Sequence, residues 1–401
     1  MTKYLIQHGP AKGSKIEKAI VDNYCDGVVF SPREETIESI QNYCNNNFLN
    51  KNNTFYDPQF YYARYDSSLY KNLDKNSTYP SEIKRKDWRT RDENLLKYFD
   101  NHAEESFSIS NHLITPGLCI DSLDWKFDHT LEIYNFCVEK YKKFESYYLT
   151  LAIGENMFHS KNDIDELLED INDEIEFKDG IYFFIVHENA ENNSNIKNYE
   201  YMDEETLSNI LYFLYKLKNM NFKILSAYNF LNAVLFSMID IDYVSGGWFN
   251  TLRKFSKDRF ESVDTFGIRK KRYTSIPLLS YFTGELADLI SQKINISFMT
   301  SGTPYDENFI NDYDSLSFVD YEQEFWISMH NVIQEINSRQ NIELKIDYVV
   351  QIIKQAVLYY DNMMDNFIEE KEISNKLKNS SAHLNKWLLA IDLFKKKALI
   401  I

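Results

Sequence analysis

Three acidic residues stand directly after short apolar runs: Asp57 after TFY, Glu155 after YYLTLAIG and Glu188 after IYFFIVH. Two carboxyl groups in different surroundings divide into a proton donor and a nucleophile or base, the pair that glycosyl transfer requires. The alternative is structural, because Asp and Glu also cap helices and pair with basic neighbours. His8 and His187 end two of the runs as well, where an imidazole serves as base, ligand or hydrogen-bond donor. No HxH or HExxH spacing accompanies them, so neither a metal nor a cofactor is expected. Arg33, after FSP, either grips an anion with its planar fork or bridges to Glu34 or Glu35. Gln59, Asn156 and Tyr228 follow further runs and join His8 and Arg33 as candidate substrate contacts.

A second group of residues suggests an anion. In IDIDYVSGGWFNTLRKF, Gly246 and Gly247 precede Trp248 and Arg253. A glycine turn lets a phosphate approach backbone N–H groups because no Cβ intervenes. Residues 251–272 hold eight Lys or Arg against three acids, and KRKDWRTR at 84–91 holds five against one, in a chain of net charge −17. Lys84, Arg85, Arg89, Arg269, Lys270, Lys271 and Arg272 are thus candidate nucleic-acid contacts on a positive rim. Trp88 and Trp248 would stack bases there. The opposing reading has both tryptophans in packing and the basic loops matched to the chain's own acidic helices.

The elements that must position these residues follow from pattern. Eight β-branched or aromatic runs, at 4–8, 27–31, 54–57, 112–116, 147–154, 181–187, 223–227 and 242–246, alternate with helical periodicity. That pattern predicts a (β/α)8 TIM-type barrel over 1–272, whose chemistry sits at the carboxyl ends of its strands. Residues 58–111 form an insertion with a helix at 91–108. After 272 the pattern predicts an all-helical C-terminal domain, 273–401, with helices at 275–293, 318–338, 346–368 and 375–397. These helices are a candidate surface for a homo- or hetero-oligomer.

Composition narrows the class. Of 401 residues, 44% are hydrophobic and 15% aromatic, enough for a large core. No apolar run reaches the ~20 residues of a membrane span, and the amino terminus lacks a secretory pattern, so a cytoplasmic protein without membrane contact is expected. Four scattered cysteines support neither a zinc site nor disulfides.

The segment NFLNAVLFSMIDIDYVSGGWFNTLR resembles the helix, turn and acidic strand near the catalytic aspartate of the tRNA-guanine transglycosylase barrels. The resemblance implies base exchange on a nucleic acid and puts Asp242 at the nucleophile's position; burial at the strand's amino end is the other reading of that residue. The family's cysteine and histidine zinc motif and its glycine-pair base-binding signature are absent, LAIGEN being the nearest segment to the latter. The expectation is an enzyme acting on a glycosidic bond of a nucleotide or nucleic acid. Its rivals are a catalytically inactive barrel in a nucleoprotein or multiprotein assembly, and a carbohydrate hydrolase.

Overall fold

The computed structural model describes residues 1–10, 12–47, 49–62, 73, 79, 84–187, 203–249, 252–256 and 270–400. Its strands are β1 (Lys3–Gln7), β2 (Gly27–Phe30), β3 (Thr54–Tyr56), β4 (His112–Ile114), β5 (Cys119–Ile120), β6 (Ser146–Gly154), β7 (Gly180–His187), β8 (Lys223–Ser226), β9 (Tyr243–Gly246), β10 (Phe255–Ser256), β11 (Tyr273–Ser275) and β12 (Ser280–Phe282). Eight of them form one parallel array in the order β3-β2-β1-β9-β8-β7-β6-β4, with β5 added to β6 and β10 to β7. This is a (β/α)8 barrel with a helical extension, and its eight strands are the eight apolar runs of the sequence. Strands covered on both faces read as continuous apolar runs, which is why all nine residues of β6 are buried.

The array closes between β3 and β4 through side chains. The Ser110 hydroxyl donates to the Thr54 carbonyl at 2.5 Å, and His112 Nε2 lies 2.9 Å from the Asn52 carbonyl. The His112 ring stacks on Phe55 at 4.8 Å between centroids. Burial pushes the His112 pKa down, keeping the ring neutral in this apolar seam.

The ring of helices comprises α1 (Lys15–Val21), α2 (Ile37–Asn46), α3 (Arg85–Arg89) with α4 (Glu93–Ile109), α5 (Trp125–Lys140), α6 (Lys161–Glu174), α7 (Glu204–Asn219) and α8 (Ala233–Ser237). Their starts are chemically marked: Thr36, Asp92, Asp124, Ser160 and Asp203 each accept a first-turn N–H in the side chain. Beyond the barrel lie α9 (Gly284–Ser291), α10 (Asp306–Asn311), α11 (Phe318–Asn337), α12 (Ile342–Asn366) and α13 (Lys371–Ala398). The helix expected at 275–293 is corrected: β11 and β12 pair antiparallel and only 284–291 is helical. Pro277, between them, has no N–H for a helix and suits a turn.

Helix α11 fills the place of the barrel's eighth helix. The five-residue α8 covers little, and α11 sets Phe325 against Tyr4 and Phe230, at 6.5 and 5.5 Å, and Trp326 against Trp248 at 6.0 Å. Asn337 at its end exchanges hydrogen bonds of 2.9 and 2.8 Å with the Thr2 backbone. The α12–α13 hairpin then docks on the outside, where Lys397 pairs with Glu205 of α7 at 2.5 Å. No helix among the described residues is long and apolar enough to cross a membrane.

Two wholly buried histidines make the fold acid-sensitive. His102 lies 2.8 Å from the Ile114 carbonyl and His383 lies 2.9 Å from the Leu279 carbonyl, while burial pushes both pKa values down to about 4. An unfolded chain binds protons at these sites near pH 6.5 and the folded chain does not. The contribution of these two histidines is therefore constant above that pH and is lost between about 6.5 and 4, by up to roughly 3 kcal/mol per histidine. Urea denaturation across this range will show the slope, and His383→Gln will flatten it.

Candidate active site at the barrel mouth

Asp57 leaves β3 at the carboxyl end of the barrel and is completely buried. Its Oδ2 accepts from the hydroxyls of Tyr61 at 2.8 Å, Tyr182 at 2.9 Å and Tyr228 at 3.3 Å, and its Oδ1 accepts from the Gln59 N–H at 2.9 Å. The tyrosines come from the loop after β3, from within β7 and from the loop after β8, so one carboxylate gathers groups across the lumen. Burial, reinforced by the Asp57 charge, pushes the Tyr61 and Tyr182 hydroxyls well above the ordinary phenol range and keeps them as donors. Hydrogen bonds to a carboxylate favour its charged form. Two residues of this layer hold left-handed backbone that side chains seldom adopt, Gln59 at φ 54° and Tyr228 at φ 58°. Such strain gathers at functional sites.

Glu155 and His187 form the second unit, at the exits of β6 and β7. His187 Nδ1 lies 2.7 Å from Glu155 Oε2, and both side chains keep some exposure, 12% and 26%. Burial alone would raise the Glu155 carboxyl, but the His187 hydrogen bond and charge, with Lys254 and His159 nearby, outweigh it and hold the pKa below the usual carboxylate range. Asn156 is turned aside, its Nδ2 donating to the Asp121 carbonyl at 2.8 Å. The third carboxylate of the sequence reading, Glu188, lies outside the described residues, as does Arg269.

His8 and Arg33 lie beside the mouth. His8 is fully buried against Phe30 and Trp248, with Nε2 3.6 Å from Glu35. Glu35 also pairs with Lys12. Burial would raise the Glu35 carboxyl, yet His8, Lys12 and Ser39 hold it at about 2. Arg33 pairs with the buried Glu34, one of its two anticipated roles, and its N–H donates to Gln59 Oε1 at 3.2 Å.

Four expectations are corrected. Asp242 stands at the amino end of β9, away from the mouth, where its Oδ2 accepts from the Ile224 N–H at 2.9 Å and pairs with Lys218 at 2.7 Å. It ties β8 to β9 at that end and, among the described residues, bonds to none at the mouth. The glycine pair is no anion seat: the Gly247 N–H donates to the Leu252 carbonyl at 3.1 Å. These glycines serve close packing, since a Cβ would fall 2.4 Å from the Asn229 carbonyl at Gly246 and 2.4 Å from Leu252 Cβ at Gly247. Arg253 is turned inward. Its Nε donates to the Gly247 carbonyl at 2.8 Å and its guanidinium lies 3.5 Å from the Phe325 ring centroid, tying α11 to the barrel. Both tryptophans are core residues: Trp88 Nε1 donates to Glu132 and Trp248 Nε1 to the Pro10 carbonyl, leaving no face for a base.

Of the basic rim, Lys84, Arg85 and Arg89 on and before α3, and Lys270, are exposed. Lys271 donates to the Asp314 carbonyl at 3.0 Å and Arg272 lies over Tyr281, so both are partly committed to the fold. Among the described residues no three His, Cys, Asp or Glu groups are arranged to hold a metal. Comparison with family models, with curated proteins and with solved structures finds no match to this chain.

Removing the imidazole tests the second unit. In His187→Ala the Glu155 pKa will rise, and carboxyl-carbon NMR titration will record the shift. The glycine assignment is tested by Gly247→Ala, which forces Leu252 to move and will cost about 1–3 kcal/mol in urea denaturation.

Proposed function

We propose that this protein is a barrel enzyme that cleaves or exchanges a glycosidic bond of a nucleotide or nucleic acid, with Asp57 and the Glu155–His187 pair as its working groups. The observation that carries this reading is Asp57: a carboxylate at the strand-exit layer, sunk in aromatic surroundings and supplied with three hydroxyl donors. Such a group suits attack on, or stabilisation of, a positively charging anomeric carbon. Glu155, ionised and hydrogen-bonded to an imidazole at the more open side of the mouth, suits proton transfer to and from the leaving group or the incoming nucleophile. The exposed Lys84, Arg85, Arg89 and Lys270 support a polyanionic substrate. The nucleotide reading no longer draws on Gly246, Gly247, Trp88 or Trp248.

One observation favours a second reading, an inactive barrel serving as a binding subunit. Asp57 is fully buried by groups of its own chain, an arrangement a polar core tolerates without any substrate.

Incubation with tRNA, single-stranded DNA and nucleotides, followed by mass spectrometry of released bases, separates the two. The enzyme reading expects release by the wild type, with Asp57→Asn and Glu155→Gln slowing it by roughly 100-fold or more. Release from none of these substrates, together with salt-sensitive binding of the same nucleic acids, would favour the binding subunit.

A further inference from the structure

The lumen beneath the mouth holds polar atoms whose hydrogen-bonding capacity goes unused. Gln7, Ser31 and Gln59 are each fully buried. Among the described residues, Gln7 Nε2, Ser31 Oγ and Gln59 Nε2 have no hydrogen-bond partner. Gln7 Oε1 accepts from the Ser245 hydroxyl at 2.9 Å, while its Nε2 approaches the Tyr182 hydroxyl without reaching hydrogen-bond geometry. Gln59 Oε1 is taken by the Arg33 N–H, which leaves the donor end of that amide idle. Buried donors left idle cost stability, so several in one layer call for an explanation.

Strand register brings two of them to Asp57. Gln7 pairs with Val29 and Phe30 pairs with Tyr56, so Ser31 and Asp57 are the next neighbours along the β2–β3 ladder. Paired positions share a face and alternate residues share a face. Asp57 faces the lumen, since it meets Tyr182 and Tyr228 from the opposite side of the barrel. Ser31, Val29 and Gln7 therefore face the lumen too. Gln59 lies two residues beyond Asp57 and donates its backbone N–H to that carboxylate. Around the same carboxylate, Tyr61, Phe184, Tyr228 and Phe255 form an aromatic ring with centroids 4.6 to 5.3 Å apart.

We propose that this layer is the subsite for a neutral sugar ring, furanose or pyranose, whose hydroxyls are taken by Ser31, Gln7 and Gln59 and whose apolar C–H face lies against the aromatic ring. The inference rests on the proposed glycosidic chemistry, because it sets the anomeric carbon at Asp57. A hydroxyl both donates and accepts, which matches an unpartnered serine hydroxyl and unpartnered amide donors. A phosphate is disfavoured in this layer by the Asp57 carboxylate, so any phosphates of the substrate stay outside, toward the basic rim. The four rings pack on one another, so seating a sugar against them displaces at least one.

Saturation-transfer NMR with ribose, 2-deoxyribose and glucose as probes, run on the full chain and on Ser31→Ala and Gln7→Leu, tests the subsite. At least one sugar will bind the wild type, binding will weaken tenfold or more in both variants, and the Tm of Ser31→Ala will stay level or rise because it loses an idle buried hydroxyl, whereas Gln7→Leu also loses the Ser245 bond and will fall somewhat. Absence of sugar binding by the wild type, variants that bind as well as it does, or a marked fall in Tm for Ser31→Ala would overturn the subsite; the last result would mean that this hydroxyl serves the apo fold. The two ideas fail separately. Sugar binding without base release by the wild type keeps the subsite and removes the glycosidic reading, whereas base release untouched by Ser31→Ala removes the subsite alone.

Discussion

A carboxylate taken out of water must be compensated, and in this barrel the compensation of Asp57 organises the whole upper lumen. Three hydroxyls converge on it from the loop after β3, from β7 and from the loop after β8. To deliver them, Gln59 and Tyr228 accept left-handed backbone, and Phe255 closes over Tyr61, Phe184 and Tyr228. Leaving such a charge without its donors would cost several kcal/mol, so the loops are held where the carboxylate needs them. In the proposed enzyme, chemistry and stability thus depend on the same atoms.

A second buried charge does the corresponding work at the barrel wall. Arg253 is stacked on Phe325 and bonded to the Gly247 carbonyl, and burial pushes its pKa down to about 10. Glu324 lies nearby on the same helix, its oxygens taken by the Thr274 N–H and the Ser328 hydroxyl, and burial pushes its pKa up to about 8. Both shifts reflect the cost of desolvation, partly offset by the opposite charge of the partner. This explains why a basic stretch follows the last strand of an acidic protein: at least its first arginine is a fastening between barrel and helix.

The barrel was legible because its strands are buried on both faces and read as unbroken apolar runs, as IYFFIVH does. The placement of Asp57, Glu155 and His187 at the barrel mouth was legible from strand-exit position alone. Tyr182 was hidden, since on the inward face of β7 it alternates with Phe184 like any core aromatic and nothing local marks its hydroxyl as a donor. The β11–β12 hairpin was missed because YTSIPLLSYF is apolar enough to extend a helix unless Pro277 is given decisive weight. Gly246 and Gly247 misled because the absence of a Cβ serves close packing as well as anion approach. For Trp88 the adjacent basic residues are exposed while the ring packs inward, and for Trp248 both the ring and Arg253 pack inward, arrangements that linear proximity does not reveal.

The placement of α11 changes what counts as a unit of this protein. The strand pattern stops near residue 272, yet the helix that packs on β1 comes from beyond that point and is bonded at its end to Thr2. The first strand and a helix more than three hundred residues later are therefore completed by one another, and the circle cannot be finished until the chain through Asn337 has emerged from the ribosome. Until then the first strand has a bare flank, apolar surface that stays open while the rest of the ring is being made.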